Sequence, residues 1–73
     1  MEETIEISTE TIPLGQFLKL ANIIETGGMA RWFLNEYDVY VNDERETRRG
    51  RKLRDGDRVV VEGAGTFNVV QMK

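Results

Sequence analysis

The chain contains no cysteine and no histidine among its 73 residues. Without cysteine, it has no disulfides, no thiol catalysis and no cysteine-based zinc site. Without histidine, it lacks the commonest metal ligand and the commonest general base. Because most enzyme mechanisms thereby lose their usual side chains, we expect a protein that is not an enzyme, with no catalytic residue, no metal and no cofactor.

Long apolar runs are also missing, since none approaches the ~20 residues that would span a bilayer. The chain opens with carboxylates, in MEETIEISTE, where a signal peptide would be basic and then apolar. We therefore expect a cytoplasmic protein with no membrane partner and no small-molecule substrate. A chain of 73 residues leaves room for one small unit, and we expect a single domain over 1–73.

Charge is what the chain has in abundance, and it is unevenly distributed. The net charge is −3, yet seven of the ten basic residues fall in RETRRGRKLRDGDR, residues 45–58. With the three acidic residues of that segment, its local charge is +4, and the remainder of the chain carries −7. Because salt screens beyond about 8 Å, a net acidic protein can present a basic surface.

The first half of the chain predicts a strand and two short helices. Ile5 and Ile7 alternate with polar residues in TIEIS, residues 4–8, which is the period of a half-buried strand. Thr11 and Pro13 suit a helix start, and Thr26 is a candidate N-cap for a second helix. The apolar stripes have the helical period, at Leu14, Phe17, Leu18 and Ala21 in the first helix and at Met29, Ala30, Phe33 and Leu34 in the second.

The second half has the period of strands. VYVND, residues 39–43, predicts a strand that ends in a turn, with a hairpin partner over 45–48. RDGD, at 54–57, predicts a tight turn with Gly56 at positive φ, although its two aspartates could also form a metal or acid pair. Further strands are predicted over 58–63 and 66–72.

These elements predict an α+β fold in which two short helices pack on a small antiparallel sheet, with an added N-terminal strand. Neither helix would be stable alone at under ~12 residues, so each must bury its apolar stripe on the sheet. We expect the three phenylalanines in the core. Trp32 should be partly buried over the helix pair, although base stacking is an alternative for it.

The basic run admits two readings. A solvated charged loop is the simpler one. However, five cations lie between Arg48 and Arg54, and charges this close repel one another unless an anion compensates them. Six of the seven cations in 45–58 are arginines, whose planar guanidinium can grip a phosphate with two hydrogen bonds and stack on a base. Both properties favour RNA as the partner.

Two features of the helices extend this hypothesis. Gly27 and Gly28 occupy the first turn of the second helix, where backbone amides attract phosphate and glycine lets a backbone approach closely. Packing against the sheet is the alternative reason for glycine there. Lys19 and Arg31 are the cations on the predicted helices, and each could also be an isolated surface charge.

Residues 14–62 resemble an S4 domain, a small RNA-binding module named for a ribosomal protein. The similarity rests on LGQFLKLANI, TGGMARWFLNE, VYVN and KLRDGDRVVV. GGMAR followed by VYVNDERETRRGRKLRDGD is similar to the short stand-alone bacterial S4 proteins of the YaaA type, which are associated with ribosome maturation. Gly27 and Gly28 stand where many S4 domains have arginine, and Asp43 where many have glycine.

The resemblance implies an S4-like α-L motif, in which RNA lies along the helical face and the adjoining basic loop. It implies ribosomal RNA or a ribosomal particle as the partner of a bacterial protein. The alternative is a protein-interaction module whose arginine cluster docks an acidic partner. The RNA-binding residues expected from the sequence and the resemblance together are Lys19, Gly27, Gly28, Arg31, Arg45, Arg48, Arg49, Arg51 and Lys52.

Overall fold

A computed structural model describes residues 2–72 and shows two short helices packed on a mixed sheet. The predicted α+β class and the two helices are confirmed. No helix within residues 2–72 is long and apolar enough to cross a membrane. The elements in chain order are β1 (Glu2–Ile7), β2 (Thr11–Pro13), α1 (Leu14–Leu20), a 3-10 turn (Gly27–Met29), α2 (Ala30–Glu36), β3 (Val39–Val41), β4 (Glu44–Arg45), β5 (Lys52–Arg54), β6 (Arg58–Val61) and β7 (Gly65–Gln71).

The main sheet has five strands in the order β1-β7-β6-β3-β4. Its β7-β6-β3-β4 part is antiparallel, as the sequence predicts. The added N-terminal strand is different, because β1 pairs with β7 in parallel, from Glu2 beside Thr66 to Ile7 beside Gln71. Two strands from opposite ends of the chain can pair in parallel here because the helices and the remaining strands form the long connection that parallel pairing requires.

A second, two-stranded sheet was not predicted. The chain before α1 forms β2, which runs antiparallel to β5 with Ile12 opposite Leu53. Of the two residues predicted at the helix start, Thr11 instead pairs with Arg54 in this sheet, and the helix begins directly after Pro13. Pro13 is the N-cap of α1 and has extended backbone angles. This small sheet joins the start of α1 to the basic segment of the chain.

The core lies between the helices and one face of the main sheet. Leu14, Phe17 and Leu18 of α1 are fully buried, as the helical period predicts. The stripe of α2 is buried at Ala30, Phe33 and Leu34, whereas Met29 is exposed. Alternate residues of the strands complete the core, at Val39, Val41, Val59, Val61, Phe67 and Val69, with Leu53 contributed by the smaller sheet.

The turns show which parts of the hairpin prediction hold. Asn42 and Asp43 have positive φ, at 50° and 71°, which fits a two-residue hairpin turn between β3 and β4. Gly56 has φ 93° in the predicted turn over 54–57. The hairpin partner predicted over 45–48 is wrong in extent, because β4 ends at Arg45. The Glu46 amide still donates to the carbonyl of Val39 in β3, but the amides of Thr47 and Arg48 donate to the Glu46 side chain instead of continuing the pairing.

Candidate functional site

Residues 46–52, which run from the end of β4 into the first residue of β5 and are called the arginine loop below, are fastened to the start of α1. The backbone amide of Leu14 donates to the carbonyl of Arg51 at 2.7 Å. The amide of Gly15 donates to the carbonyl of Arg49 at 2.9 Å. The first amides of a helix have no partner within the helix, so the loop satisfies two of them and is held against α1 in return.

Gly15 lets three elements meet at this point. A Cβ atom on Gly15 would lie 3.1 Å from the Cβ of Ala30 in α2 and 3.4 Å from the Cβ of Arg49. The first distance is tighter than ordinary van der Waals contact, and the second is at its lower limit. The absence of a side chain therefore allows α1, α2 and the arginine loop to approach one another closely.

The Glu46 carboxylate organises the loop from within. Its Oε2 accepts hydrogen bonds from the amides of Thr47 and Arg48, at 3.2 and 3.1 Å, and from Nε of Arg48 at 3.0 Å. Its Oε1 accepts from Nη2 of Arg48 at 3.3 Å and from Nη1 of Arg51 at 3.0 Å. Five donors thus converge on one carboxylate, which is only 5% exposed.

These contacts change the acidity of the carboxyl group. The side-chain hydrogen bond from Arg48 and the further bonds from the Arg48 amide and Arg51 lower the pKa of Glu46 from an ordinary 4.5 to about 2, against the opposing effect of burial. The same hydrogen bond raises the pKa of Arg48. Glu46 is therefore ionised at neutral pH, and one negative charge is shared between two arginines.

Arg49 and Gly27 line the same open crevice, of about 320 Å³. Gln16 of α1 and Gly50 also line it. Thr26 occupies the N-cap position as predicted, but its side chain makes no capping hydrogen bond. The first hydrogen bond of the 3-10 turn is donated by the Met29 amide to Thr26. The crevice thus brings Arg49 of the arginine loop together with the opening of the second helical segment.

The remaining cations of the loop face a second hollow. Arg48, Arg51 and Lys52 line it together with Gly50. Gly50 borders both this hollow and the crevice that holds Arg49. The four cations of 48–52 therefore lie around one glycine, which is the close grouping expected from their spacing in the sequence.

The other predicted site residues are more dispersed. Lys19 is exposed near the end of α1 and lines a larger open hollow that shares Gln16 with the crevice. Arg31 and Gly28 are exposed at the opening of the second helical segment. Arg45 lies on the edge strand β4 and pairs with Asp38 at 2.9 Å, so it is not among the residues that line the crevice.

Intramolecular pairing divides the cations into two groups. Within residues 2–72, ion pairs form at Arg45, Arg48, Arg51 and Arg58. No ion pair forms in that part of the chain at the remaining cations, which are Lys19, Arg31, Arg49, Lys52 and Arg54. Arg49 and Lys52 are consequently the uncompensated charges beside the crevice and the second hollow.

Sequence reasoning missed two residues of this site. Gln16 carries no charge, so nothing in its spacing distinguishes it from other polar helix positions. Glu46 did carry a signal, because it is the sole carboxylate between Arg45 and Arg54. An acid within a dense basic run is the natural internal counter-ion, since nearby cations otherwise repel one another.

Trp32 is more exposed than expected, with 52% of its surface accessible. Its ring meets Tyr37 edge-on, with centroids 6.0 Å apart. Tyr37 in turn stacks on the core residue Phe33 at 4.7 Å. The three phenylalanines are buried as expected.

Comparison with known proteins gives two matches. The sequence model of the family described as "S4 domain" matches residues 5–70. The Bacillus subtilis (strain 168) protein named "Probable ribosome maturation protein RlbA" is 61% identical to this chain over 70 residues. That alignment covers 96% of this chain and 99% of the Bacillus protein.

Proposed function

This chain belongs to the S4 domain family, and we propose that it is a non-catalytic protein that binds structured RNA, namely ribosomal RNA during ribosome maturation. Membership in a family of RNA-binding modules supports the class of partner. The name of the Bacillus relative, a ribosome maturation protein, supports the process. The uncompensated cations beside the crevice support the mode of binding.

The observation that carries the proposal is the convergence of Arg49 and Gly27 on one crevice. These residues are 22 positions apart in the chain. They meet because the arginine loop is hydrogen-bonded to the start of α1 and α1 packs on α2 through Gly15. A phosphate in the crevice would contact the guanidinium of Arg49 on one side and the backbone of the glycine pair on the other.

The chemistry favours RNA over DNA. A rigid cluster of guanidinium groups fits phosphates brought together by a folded backbone, and the shallow minor groove of RNA exposes 2′-hydroxyls to polar side chains such as Gln16. The rest of the surface is acidic, because the chain outside 45–58 carries −7. That charge repels nucleic acid and restricts binding to the basic face.

The proposed contacts fall into two sets. The helical contacts are Lys19, Gly27, Gly28 and Arg31. The loop contacts are Arg48, Arg49, Arg51 and Lys52, with Arg45 at the periphery because it is engaged with Asp38.

A pair of matched charge reversals tests the proposal. Arg49→Glu reverses an uncompensated cation in the crevice, and Arg58→Glu reverses an exposed arginine on β6 that pairs with Asp43. Both substitutions change the net charge by −2. Binding to ribosomal RNA fragments and co-sedimentation with ribosomal particles should fall strongly for Arg49→Glu and little for Arg58→Glu, because only Arg49 lies in the crevice.

Equal losses for the two variants would mean that net charge alone governs binding, and the proposed site would be wrong. Loss of co-sedimentation with RNA binding intact would instead indicate an acidic protein partner for the arginine loop. A wild-type protein that binds none of the ribosomal RNA fragments would refute the function itself.

A further inference from the structure

Glu46 is an anion in the middle of the most cationic segment of the chain, which runs against the needs of an RNA-binding surface. Its charge cancels one of the positive charges on Arg48 and Arg51. The carboxylate is 5% exposed, so RNA would not reach it directly. What the residue does must therefore act through the arginines that it holds.

We propose that Glu46 is a positioning residue that fixes Arg48 and Arg51 in the geometry needed to receive RNA phosphates. This inference rests on the proposed function. The Glu46 carboxylate cancels one unit of positive charge, but it restricts the conformations of two long side chains. A rotamer-rich side chain loses entropy when it is immobilised on binding, so ordering it beforehand improves affinity.

The contacts are arranged to give that order. Arg48 binds through Nε and Nη2 to the two oxygens of the carboxylate, at 3.0 and 3.3 Å. This two-point contact fixes the plane of the guanidinium, which one hydrogen bond would leave free to rotate. The Arg48 side chain nevertheless remains 77% exposed. The Arg48 side chain is therefore fixed by Glu46 and still accessible to a ligand.

The carboxylate is itself held. The Glu46 amide donates to the carbonyl of Val39 in β3 at 2.9 Å. The amides of Thr47 and Arg48 bind its Oε2 from the same turn of chain. Arg51, towards the other end of the loop, donates to Oε1 of Glu46 and pairs with no other carboxylate within residues 2–72. Glu46 thus ties both ends of the arginine loop to the main sheet.

The substitution Glu46→Gln separates positioning from charge, because the two effects have opposite signs. It removes one negative charge, so electrostatics alone predicts tighter RNA binding. Loss of positioning predicts weaker binding, by about tenfold, because two arginine side chains must then be ordered by the RNA. The matched control is Glu44→Gln, an exposed glutamate two positions away, which makes the same change in charge and should bind equally well or more tightly.

Binding is measured with ribosomal RNA fragments on protein shown to be folded by circular dichroism. A core variant of lowered stability, Val69→Ala, controls for global destabilisation and should bind as the wild type does. Glu46→Gln that binds as tightly as Glu44→Gln, or more tightly, would overturn the proposal while leaving the proposed function standing. A wild-type protein without RNA affinity would refute the function instead.

A measurement on the wild type keeps the proposal testable if Glu46→Gln does not fold. In the NMR spectrum, the Nε–H proton of Arg48 should exchange with water more slowly than that of Arg49, because only Arg48 donates through Nε to a carboxylate. Equal exchange rates for the two arginines would show that Arg48 is not held, and the positioning role would be wrong.

Discussion

Acid should remove the stabilisation that Glu46 provides, and the magnitude follows from its pKa. The pKa of this carboxyl is lowered from 4.5 to about 2 in the folded state. A group whose pKa is depressed by folding stabilises the protein above its unfolded pKa and loses that contribution as pH falls through the folded value. The contribution of Glu46 is therefore complete above about pH 5 and is lost between about pH 4.5 and pH 2.

The stabilisation that Glu46 provides is bounded by its pKa and reduced by solvent screening. A change in pKa from 4.5 to about 2 corresponds to at most about 3 kcal/mol in the free energy of unfolding. The main partner, Arg48, is 77% exposed, so solvent screens the interaction and about 1–2 kcal/mol is expected. For a domain of this size, each kcal/mol lowers the midpoint of thermal unfolding by about 4–8 °C.

The assay is urea unfolding followed by circular dichroism, for wild type and Glu46→Gln, in a series of buffers from pH 7 to pH 2. The free energy of unfolding should differ by about 1–2 kcal/mol at pH 7, and the gap should close as the pH approaches 2. Glu44→Gln should differ from wild type by no more than about 0.5 kcal/mol throughout. A gap for Glu46→Gln that is absent at pH 7, or that stays constant down to pH 2, would refute this reasoning.

Of three further predictions, two use matched pairs of substitutions. Leu53→Ala should lower the free energy of unfolding by about 2–5 kcal/mol, because Leu53 is fully buried. Leu20→Ala should lower it by under about 1 kcal/mol, because Leu20 is 49% exposed. Similar losses for the two variants in urea unfolding would contradict the packing. Gly56→Ala should lower the free energy of unfolding by about 1–2 kcal/mol, because the φ angle of Gly56 is 93°. Gly50→Ala should leave it unchanged in the same assay, because an added Cβ meets nothing within 4 Å. Gly27→Ala should leave stability intact, since its Cβ would meet only Gln16 Nε2 at 3.7 Å, yet filter binding should show weaker RNA affinity; unchanged affinity would mean that RNA does not approach this backbone.

Much of the fold could be predicted from the sequence because its elements follow simple periods. The predicted stripe of α1 is buried at Leu14, Phe17 and Leu18, whereas Ala21 follows the helix and is partly buried. Residues 39–41 alternate between apolar and polar types, residues 58–61 contain a run of β-branched valines, and both segments form strands of the main sheet. The turns at Asn42 and Gly56 follow from residue types that tolerate positive φ.

The parts that could not be predicted depend on contacts between distant segments. The pairing of β2 with β5 joins Ile12 to Leu53, and neither three-residue strand is long enough to show a period. The parallel pairing of β1 with β7 likewise leaves no trace in the alternation of either strand, because period two is common to both directions of pairing.

The candidate site shows the same division. Close spacing in the sequence indicated that the cations of 48–52 would lie together, and they lie in two hollows that share Gly50. Which of these cations form ion pairs depends on the position of the Glu46 side chain. That side chain is buried against Arg48 and Arg51, which is a feature of the tertiary structure. The meeting of Arg49 with Gly27 required the backbone hydrogen bonds between the loop and α1.

The salt dependence of RNA binding tests the central claim most directly, since that claim is that uncompensated cations of the arginine loop contact phosphates. Each phosphate contact contributes about 0.7–0.9 to the slope of the logarithm of the binding constant against the logarithm of salt concentration. Arg49→Ala with Lys52→Ala should therefore reduce the steepness of the slope by about 1.5 relative to wild type. An unchanged slope would show that these two residues touch no phosphate and would contradict the account.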